Sequence, residues 1–416
     1  MPQPTPALLD SVETQTAAAT IPLTETPNTR ADARPEPLLP PQPPRPAWIE
    51  IDLQRLQANF RLINQHKPAN LRILSVVKDD GYGHGALAVA RAALNSGANF
   101  LGLSTLEEAI TLRERGLQAR MLLLGDRHET ELPWCLAHEL TCCVSEPYSV
   151  LQLGALAARA NKRIPMHVKI NTGMNRYGVR WTEAASLAQL IESTKSLYVE
   201  GVLSHFAQSD EADKTFALLQ LSRFEQALRD IAGLGISVKV KHLCNSGGFL
   251  DLPQAHFDMV RLGILPLGVY PSSVCKRMQG IEPVMSVKAR IAGIQNLQTG
   301  DSVGYGMRYT AAAPRRIAVL PIGYGDGFPR VRNQGCALVH GQRAPLVGGV
   351  AMDAITVDIT EIPEAKLWDE AVIQGRQGTE EISVHEMAKL KNSVSYDLLA
   401  GWRRRLPRIY VGAPTA

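Results

Sequence analysis

The residues that could do chemistry most directly lie in the stretch 78–85, which includes Lys78, Tyr82 and His84. An apolar, β-branched run over 73–77 precedes it and predicts a buried strand that ends at the lysine. Burial disfavours the charged form of a lysine amine and lowers its pKa, which suits Schiff-base chemistry with a carbonyl cofactor. Residue type and spacing alone leave a second interpretation open, a surface lysine whose stem covers apolar residues.

Three glycines, Gly81, Gly83 and Gly85, follow the lysine closely. Glycine tolerates backbone conformations that other residues avoid, so this stretch can turn sharply and approach a phosphate group. A helix predicted over 86–96 begins directly after the glycines, and the N-terminus of a helix favours an anion. The pattern therefore predicts a phosphate beside the lysine.

Further polar residues stand at or just after predicted apolar strands. Arg176 offers a planar fork of donors that suits a carboxylate, whereas a surface ion pair is the more common use of such a residue. His205 follows the next strand, and a lone histidine is more often a core or surface residue than a catalyst. Asn245 and Ser246 open a helical turn whose N–H groups and hydroxyl can hold a phosphate. Arg261 belongs to the last of these strands.

The elements that must position these residues are short apolar strands alternating with amphipathic helices. Eight predicted strands cover residues 72–78, 99–104, 120–125, 140–144, 165–170, 198–205, 239–244 and 258–263. Helical periodicity lies between them, as in 106–115, 148–162, 183–193 and 214–232. This alternation predicts an α/β fold with an N-terminal (β/α)8 TIM-type barrel, in which the C-terminal ends of the strands bring the polar residues to one mouth.

Two other regions flank the predicted barrel. After residue 284 the pattern changes to short alternating strands with glycine-rich turns, which predicts a C-terminal all-β domain over 285–416. Residues 1–46 are rich in Pro, Thr, Ala and Glu and predict a disordered tail, with a polyproline ligand as the alternative. The cofactor-binding barrel is thus predicted over 47–284.

Composition narrows the class of protein. The net charge of +4 over 416 residues is small and interspersed, which argues against a nucleic-acid partner. No apolar run reaches the roughly 18 residues of a membrane span, and no signal peptide is evident. The six cysteines lack paired zinc spacing. We therefore expect no membrane partner, free thiols and a cytoplasmic location, with export to the periplasm as the alternative.

The stretch 78–85 resembles the pyridoxal-phosphate (PLP) lysine motif of the alanine racemase family, with Lys78, Tyr82 and His84 in their places. Five other segments between residue 48 and the C-terminus resemble motifs of this family in the same order. The resemblance implies a fold-type III PLP-dependent isomerase. It would interconvert L-alanine and D-alanine, a small amino acid, and so supply D-alanine for peptidoglycan precursors.

The resemblance also implies which residues contact the cofactor. They are Lys78, Tyr82, His205, Asn245, Ser246, Arg261, Gly263 and Ile264. Arg261 matches the arginine that faces the pyridine nitrogen, whereas Leu262 replaces a common proline. Because an arginine stays protonated, it disfavours a protonated pyridine and thereby suppresses side reactions.

The implied catalytic pair is Lys78 and Tyr305, which would exchange the Cα proton from opposite faces of the substrate. An ordinary tyrosine phenol has a pKa near 10 and needs a nearby cation to act as a base. Arg176 and His205 are implied to supply that field, and Arg261 completes the implied catalytic set.

Arg176 is further implied to touch the substrate carboxylate. Lys169 matches a lysine that is often carbamylated and orients this arginine. Asn171 replaces the usual aspartate, which lowers the negative charge near Lys169 and puts its carbamylation in question.

A loop in the second domain resembles the family's substrate loop and carries Met352 and Asp353. The resemblance implies that Tyr305, Met352 and Asp353 reach the barrel mouth of a second subunit. The chain is therefore expected to form a homodimer with shared active sites.

Other functions stay open at the level of sequence. Asn171, Gly247-Gly248 and Ala351 depart from common family residues, and changes of this size beside a pocket can broaden a racemase to serine or lysine. A PLP carrier protein would lack the second domain. A related decarboxylase would need a cysteine near Ala351, which this chain lacks. A non-enzymatic binding module is the remaining alternative.

Overall fold

The computed structural model describes residues 43–412. The tail predicted over 1–46 lies almost wholly outside these residues, and the predicted boundaries at 46 and 284 stay predictions. The described chain opens with strand β1 (Ala47–Asp52) and helix α1 (Leu53–His66). Asp52 caps this helix by accepting a hydrogen bond from the Arg55 amide at 2.9 Å, because helix N-termini leave amides without partners.

Eight parallel strands form a nearly closed barrel, as the sequence predicts. They are β2 (Arg72–Val76), β3 (Phe100–Leu103), β4 (Arg120–Leu123), β5 (Thr141–Val144), β6 (Ile164–Asn171), β8 (Leu197–Leu203), β9 (Val240–His242) and β10 (Met259–Leu262). The two-residue strand β7 (Val179–Arg180) pairs with the end of β6 and is not part of the barrel order. The barrel runs in the order β10-β2-β3-β4-β5-β6-β8-β9. A hydrogen bond from the Arg261 amide to the Cys244 carbonyl, 2.9 Å, links the two ends.

Helices cover the outside of the barrel. Segment α2 (Lys78–Tyr82) is a short turn with left-handed backbone angles after β2. The covering helices are α3 (Ala86–Asn95), α4 (Leu106–Glu114), α5 (Leu132–Ala137), α6 (Pro147–Arg159), α7 (Ala184–Ser193), α8 (Thr215–Gly233) and α9 (Ser246–Asp251), with 3-10 turns at Pro253–Ala255 and Leu265–Leu267. Within α8 the buried residues Leu221, Phe224 and Ile231 recur at helical spacing, which explains why the periodicity predicted this helix well. None of the helices in the described part of the chain is long and apolar enough to cross a bilayer.

The second domain is strand-rich, as predicted. Its strands are β11 (Met285–Arg290), β12 (Gly293–Leu297), β13 (Ser302–Val303), β14 (Tyr309–Thr310), β15 (Arg315–Leu320), β16 (Cys336–Val339), β17 (Gln342–Pro345), β18 (Ile355–Asp358), β19 (Glu370–Gln377), β20 (Glu380–Ile382) and β21 (Arg408–Val411). It also contains helices α10 (Val384–Leu390) and α11 (Ser395–Gly401) and 3-10 turns at Tyr305–Met307 and Tyr324–Asp326, and the sequence analysis predicted neither helix.

Strand β1 belongs to the sheet of the second domain. It pairs antiparallel with β11 and parallel with β21, in the sheet order β17-β16-β19-β11-β1-β21. The predicted boundaries grouped these residues with the barrel. A pairing across more than two hundred residues leaves no local pattern, so the sequence alone did not reveal it.

Candidate active site

Lys78 lies directly after the strand β2 and begins an unusual turn. Asp79, Asp80 and Tyr82 have φ angles of 54°, 52° and 53°, which place them in the left-handed region that non-glycine residues avoid. Two contacts stabilise the turn: the Asp79 amide donates to Glu108 Oε1 at 2.6 Å, and Asp80 Oδ1 accepts from the first amide of α3 at 2.9 Å. Strain of this kind persists only where its surroundings enforce it, and it clusters at functional sites.

The Lys78 side chain is half-buried. This burial, together with the Arg176 guanidinium, lowers the pKa of Lys78 below its usual value. A lysine in this state has a larger fraction of neutral, nucleophilic amine near neutral pH than an exposed lysine. The position can therefore form a covalent bond to a carbonyl.

A cradle suited to a phosphate lies beside the lysine. The amides of Gly263 and Leu265 point at Ser246 Oγ, each at 3.4 Å, and the Asn245 side chain accepts from the Gly248 amide at 2.9 Å. A Cβ atom on Gly263 would lie only 2.7 Å from the Tyr82 hydroxyl oxygen. A side chain at this glycine would therefore fill the space between the hydroxyl and the amides.

Burial, followed by the charges of Asp79 and Glu108, raises the pKa of Tyr82. Its phenol is therefore a hydrogen-bond donor across the physiological range. Ile264 follows Gly263 directly and begins the turn that ends at Gly268. A donor hydroxyl, a serine hydroxyl and successive backbone amides form the donor set that a phosphate group prefers.

Arg261 lies inside the mouth of the barrel and is 4% exposed. Its guanidinium donates to the carbonyls of Ser204, His242 and Leu243 at 2.6, 2.9 and 3.0 Å. Burial lowers the pKa of Arg261 to about 10, so the group stays protonated at neutral pH. The carbonyl oxygens stabilise this charge and fix the orientation of the side chain.

The Arg261 guanidinium determines which ring nitrogen carries the hydrogen in each of three histidines. It lies 2.9 Å from His205 Nδ1 and 3.2 Å from His242 Nδ1, and because an arginine can only donate, both ring nitrogens must accept. We infer that His242 Nε2–H donates to His167 Nδ1, 2.9 Å away, and that His167 Nε2–H donates to Glu200, 3.3 Å away. Burial lowers the pKa of all three rings, so they are neutral.

This hydrogen-bonded chain ends at the bottom of the barrel, where Arg120 forms an ion pair with Glu200. The proton arrangement leaves His205 with a hydrogen on Nε2, which is free to donate toward the mouth. The sequence analysis missed His167, His242 and Glu200. Their one signal was a polar residue within a predicted strand, and the structure shows that His167 and His242 are fully buried within β6 and β9.

Lys169, Arg176 and His205 line one small cavity at the mouth. Burial, together with the Arg261 and Arg176 guanidiniums, lowers the pKa of Lys169. Asn171 Oδ1 accepts from the amides of Gly173 and Asn175 at 3.0 and 3.1 Å and so shapes the loop that carries Arg176. The asparagine that replaces the usual aspartate therefore keeps an acceptor role within the loop.

Three predicted residues lie away from this cluster, in the second domain. Tyr305 is 83% exposed at the tip of a turn, and Met352 is 52% exposed. Asp353 bonds to Arg405, and the Met352 carbonyl accepts from the Gly325 amide, both partners being in the same domain. The structure thus brings Lys78, Arg176, His205 and Arg261 to one mouth and presents Tyr305 to solvent.

The fold and the site define a class of protein. A lysine amine of lowered pKa next to a phosphate cradle, at the C-terminal mouth of an α/β barrel, fits the aldehyde and the phosphate of PLP. The residues present therefore fit this cofactor.

Comparison with known proteins gives the family. Family models of the alanine racemase N-terminal and C-terminal domains match residues 51–271 and 284–410. An alanine racemase of Syntrophobacter fumaroxidans is 40% identical over 85% of this chain and 94% of the relative. One of Halothermothrix orenii is 37% identical over 88% of this chain and 97% of the relative.

The crystal structure of alanine racemase from Streptomyces lavendulae superposes with a TM-score of 0.84 at 32% identity, covering 89% of this chain and 98% of that one. The chain therefore belongs to the alanine racemase family, whose members are PLP-dependent isomerases.

Proposed function

We propose that this chain interconverts L-alanine and D-alanine with PLP as its cofactor. The observation that carries the proposal is the meeting of the Lys78 amine, the Tyr82–Ser246–Gly263 cradle and the buried Arg261 guanidinium at one barrel mouth. Matches to relatives named alanine racemase along both domains support the same reaction.

The site residues at the barrel mouth would each have a role in holding the cofactor. Lys78 Nζ would hold it covalently, and Tyr82, Asn245, Ser246, Gly263 and Ile264 would hold its phosphate. When bound, PLP withdraws electrons from the Cα of an attached amino acid and so acidifies its Cα proton. Arg261 would offer the pyridine nitrogen a hydrogen-bond donor, which would limit that electron withdrawal and keep the reaction to proton exchange.

Two bases on opposite faces of the substrate move the proton. Once the substrate amine has displaced it from the cofactor, Lys78 Nζ would be free to take the Cα proton from one enantiomer or to return it, and Tyr305 Oη of the partner subunit would do the same on the other face. The proton arrangement described above supports this role for tyrosine, because His205 Nε2–H is a donor suited to stabilise a phenolate. Arg176 adds a positive charge beside it.

Substrate binding uses both domains. Arg176 pairs with the substrate carboxylate, and Lys169 orients Arg176. A lowered lysine pKa favours the neutral amine that reacts with carbon dioxide, which supports carbamylation of Lys169. Met352 and Asp353 would contact the substrate from the partner's second domain.

We further propose a homodimer in which each barrel mouth receives the tip of the partner's second domain. The exposure of Tyr305, Met307 and Met352, at 83%, 71% and 52%, supports this, because monomeric surfaces rarely cluster large apolar groups so strongly. Burying them against a second barrel removes them from water.

A mixing experiment tests the shared site. Lys78→Ala and Tyr305→Phe homodimers are each expected to be nearly inactive. After unfolding and refolding together, half of the dimers are mixed, and each mixed dimer has one site with both bases. Activity should rise to about a quarter of wild type. If each chain used its own Tyr305, the mixture would stay inactive, and this result would refute the shared site.

A substrate panel tests the reaction itself. The wild-type protein with PLP is incubated with each L-amino acid in turn, and the D-enantiomer is measured by chiral chromatography. Conversion of alanine in large excess over serine and lysine is the expected outcome. Comparable conversion of all three would replace the assignment with a broad racemase.

A cytoplasmic location is also proposed, since all six cysteines are free thiols, as is usual in a reducing compartment. Fractionation of cells that produce the protein tests it, and recovery in a periplasmic fraction would contradict it.

A further inference from the structure

The loop that carries Met352 and Asp353, residues 351–354, packs against a neighbouring turn, residues 323–327. The amides of Tyr324 and Gly325 donate to the carbonyls of Ala351 and Met352 at 3.1 and 2.9 Å. A Cβ atom on Gly323 would lie 2.3 Å from the Ala351 carbonyl oxygen, so turn and loop pack backbone against backbone. The position of the loop therefore follows the position of the turn.

The turn in its own right depends on Asp326, whose side chain is fully buried. One carboxylate oxygen accepts from the Gly323 amide at 3.0 Å and closes the turn. A buried carboxylate needs a cationic partner, because withdrawing it from water costs more than its amide contact returns. That partner comes from far away in sequence.

Arg45 supplies the charge. Its guanidinium grips both carboxylate oxygens of Asp326, one of them at 2.8 Å, and also donates to the Pro321 carbonyl at 2.7 Å. This two-point arrangement is the strongest form of arginine–carboxylate pairing. Arg45 lies within the segment predicted as a tail from composition, just before β1.

A second arginine stands between two aspartates. Arg405 Nε lies 3.6 Å from Asp326 Oδ1, and Arg405 Nη2 bonds to Asp353. With Asp326 already paired to Arg45, the Arg405 guanidinium can turn to Asp353. Without Arg45, the buried Asp326 carboxylate would compete with Asp353 for Arg405.

We propose that Arg45 is a positioning residue for the 351–354 loop: it occupies Asp326 and thereby leaves Arg405 to orient Asp353 toward the substrate. The inference rests on the proposed function, in which this loop contacts the substrate in the partner's site. It adds a residue from the N-terminal segment to the parts of the chain that determine substrate affinity.

The charge state of Asp326 agrees with this arrangement. Burial on its own would raise the pKa of this carboxyl, but the hydrogen bonds from Arg45 and Gly323 outweigh burial and lower the pKa. Asp326 is therefore ionised at neutral pH and demands a cation throughout the working range of the enzyme.

The test is the kinetics of Arg45→Gln with L-alanine. KM should rise about tenfold, the loss expected for a disturbed charged hydrogen bond, while kcat stays within about twofold. Arg45→Lys should recover part of the affinity. The double variant Arg45→Gln/Asp326→Asn should recover more, because an uncharged residue 326 no longer draws Arg405 away from Asp353.

Arg316→Gln is the matched control. This arginine donates to the carbonyls of Ile362, Pro363 and Ala365 in the same domain, away from the loop, so its loss should lower the melting temperature and leave KM unchanged. An unchanged KM in Arg45→Gln, or a double variant no better than the single one, would overturn the inference.

An Asp353→Ala variant, measured in parallel, separates the role of Arg45 from the role of the 351–354 loop in substrate binding. A raised KM in Asp353→Ala with normal KM in Arg45→Gln defeats only the role of Arg45. Normal KM in both variants defeats the assignment of the loop to the substrate.

Discussion

The two halves of the proposed active site are built in opposite ways. In the barrel, Arg261 is 4% exposed and donates to three carbonyls and two histidines of its own chain. In the second domain, Tyr305 is 83% exposed, on a turn whose flanking Gly304 and Gly306 have φ angles of 74° and 73°. The proposed cofactor half is therefore organised within one chain, whereas the proposed second base lies exposed on a turn.

The comparison shows how a fold divides the work of a site. A barrel interior can hold a chain of polar groups because each donor finds an acceptor at a fixed distance. If the turn that carries Tyr305 enters another subunit, as proposed, its large side chains must be exposed to solvent before the two chains associate. Variants of the two halves should therefore differ in what they lose, and the largest effect is expected in the rigid half.

Removing the Lys78 amine from the barrel should have the largest effect on racemisation activity. Lys78→Ala is expected to lower kcat/KM by about 10³-fold or more and to abolish the visible absorbance of lysine-bound cofactor, because no other group forms that bond. Absorption spectra and a racemisation assay measure both losses. Lys169→Ala, which leaves Lys78 in place, is the control for absorbance. A normal spectrum in Lys78→Ala would contradict the assignment.

Tyr305→Phe probes the exposed half. Loss of the phenol hydroxyl should lower kcat by about 10²- to 10⁴-fold, since it removes one of the two bases, and should leave cofactor absorbance intact. Tyr309→Phe, in the same domain, is the control and should keep wild-type rates. Activity above a tenth of wild type in Tyr305→Phe would show that another group serves as the second base.

Glu200→Gln tests how much the rigid half depends on the far end of its hydrogen-bonded chain. The free energy of unfolding should fall by about 1–3 kcal/mol, because Arg120 loses its charged partner and His167 a charged acceptor. Denaturant unfolding measures the change. Glu139→Gln removes an exposed carboxylate 3.9 Å from Lys162 and should change stability by less than about 0.5 kcal/mol. Equal effects in both variants would mean that the buried chain is not structural.

The rigid half should also make the protein sensitive to acid. Burial lowers the pKa of His205 and His242 well below the usual value and that of His84 to about 4. The unfolded chain takes up protons at these rings near pH 6.5, whereas the folded chain does not. The free energy of unfolding therefore includes the whole contribution of these histidines above pH 6.5, and it falls as the pH drops toward 4.

Melting temperatures between pH 8 and pH 4.5 measure this dependence, with each buried histidine contributing up to about 1.4 kcal/mol per pH unit. The exposed His66→Gln variant should show the same slope as wild type, and His242→Asn a smaller one. Constant stability from pH 7 to pH 5 would contradict neutral buried histidines.

The smallest effect is expected from deletion of residues 2–42. Their composition offers little apolar surface to bury, so kcat/KM should stay within about twofold of wild type. A chain that begins at Ala47 also loses Arg45 and should show the raised KM of Arg45→Gln. If deletion of residues 2–42 alone lowered kcat/KM strongly, the proline-rich segment would have a role in activity.

Local pattern predicted much of this protein. The eight barrel strands were each predicted within a few residues, since short apolar runs that alternate with amphipathic helices leave a recognisable pattern. The cluster at the mouth followed from the rule that strand ends of a barrel meet. The left-handed turn at 79–82 was not predicted beyond its glycines, because Asp79 and Asp80 adopt it only under contacts with Glu108 and α3.

By itself, the sequence indicated the barrel strands and the strand-rich second domain and, through resemblance to a known family, a role for Lys78, because strand patterns and motifs each involve neighbours within about ten residues. Only the tertiary structure decided which histidines meet Arg261, which sheet β1 joins and which carboxylate Arg45 holds. The bond between Arg45 and Asp326 spans 281 residues. Such contacts arise when separately formed elements pack, and burial then selects the partners that satisfy each charge.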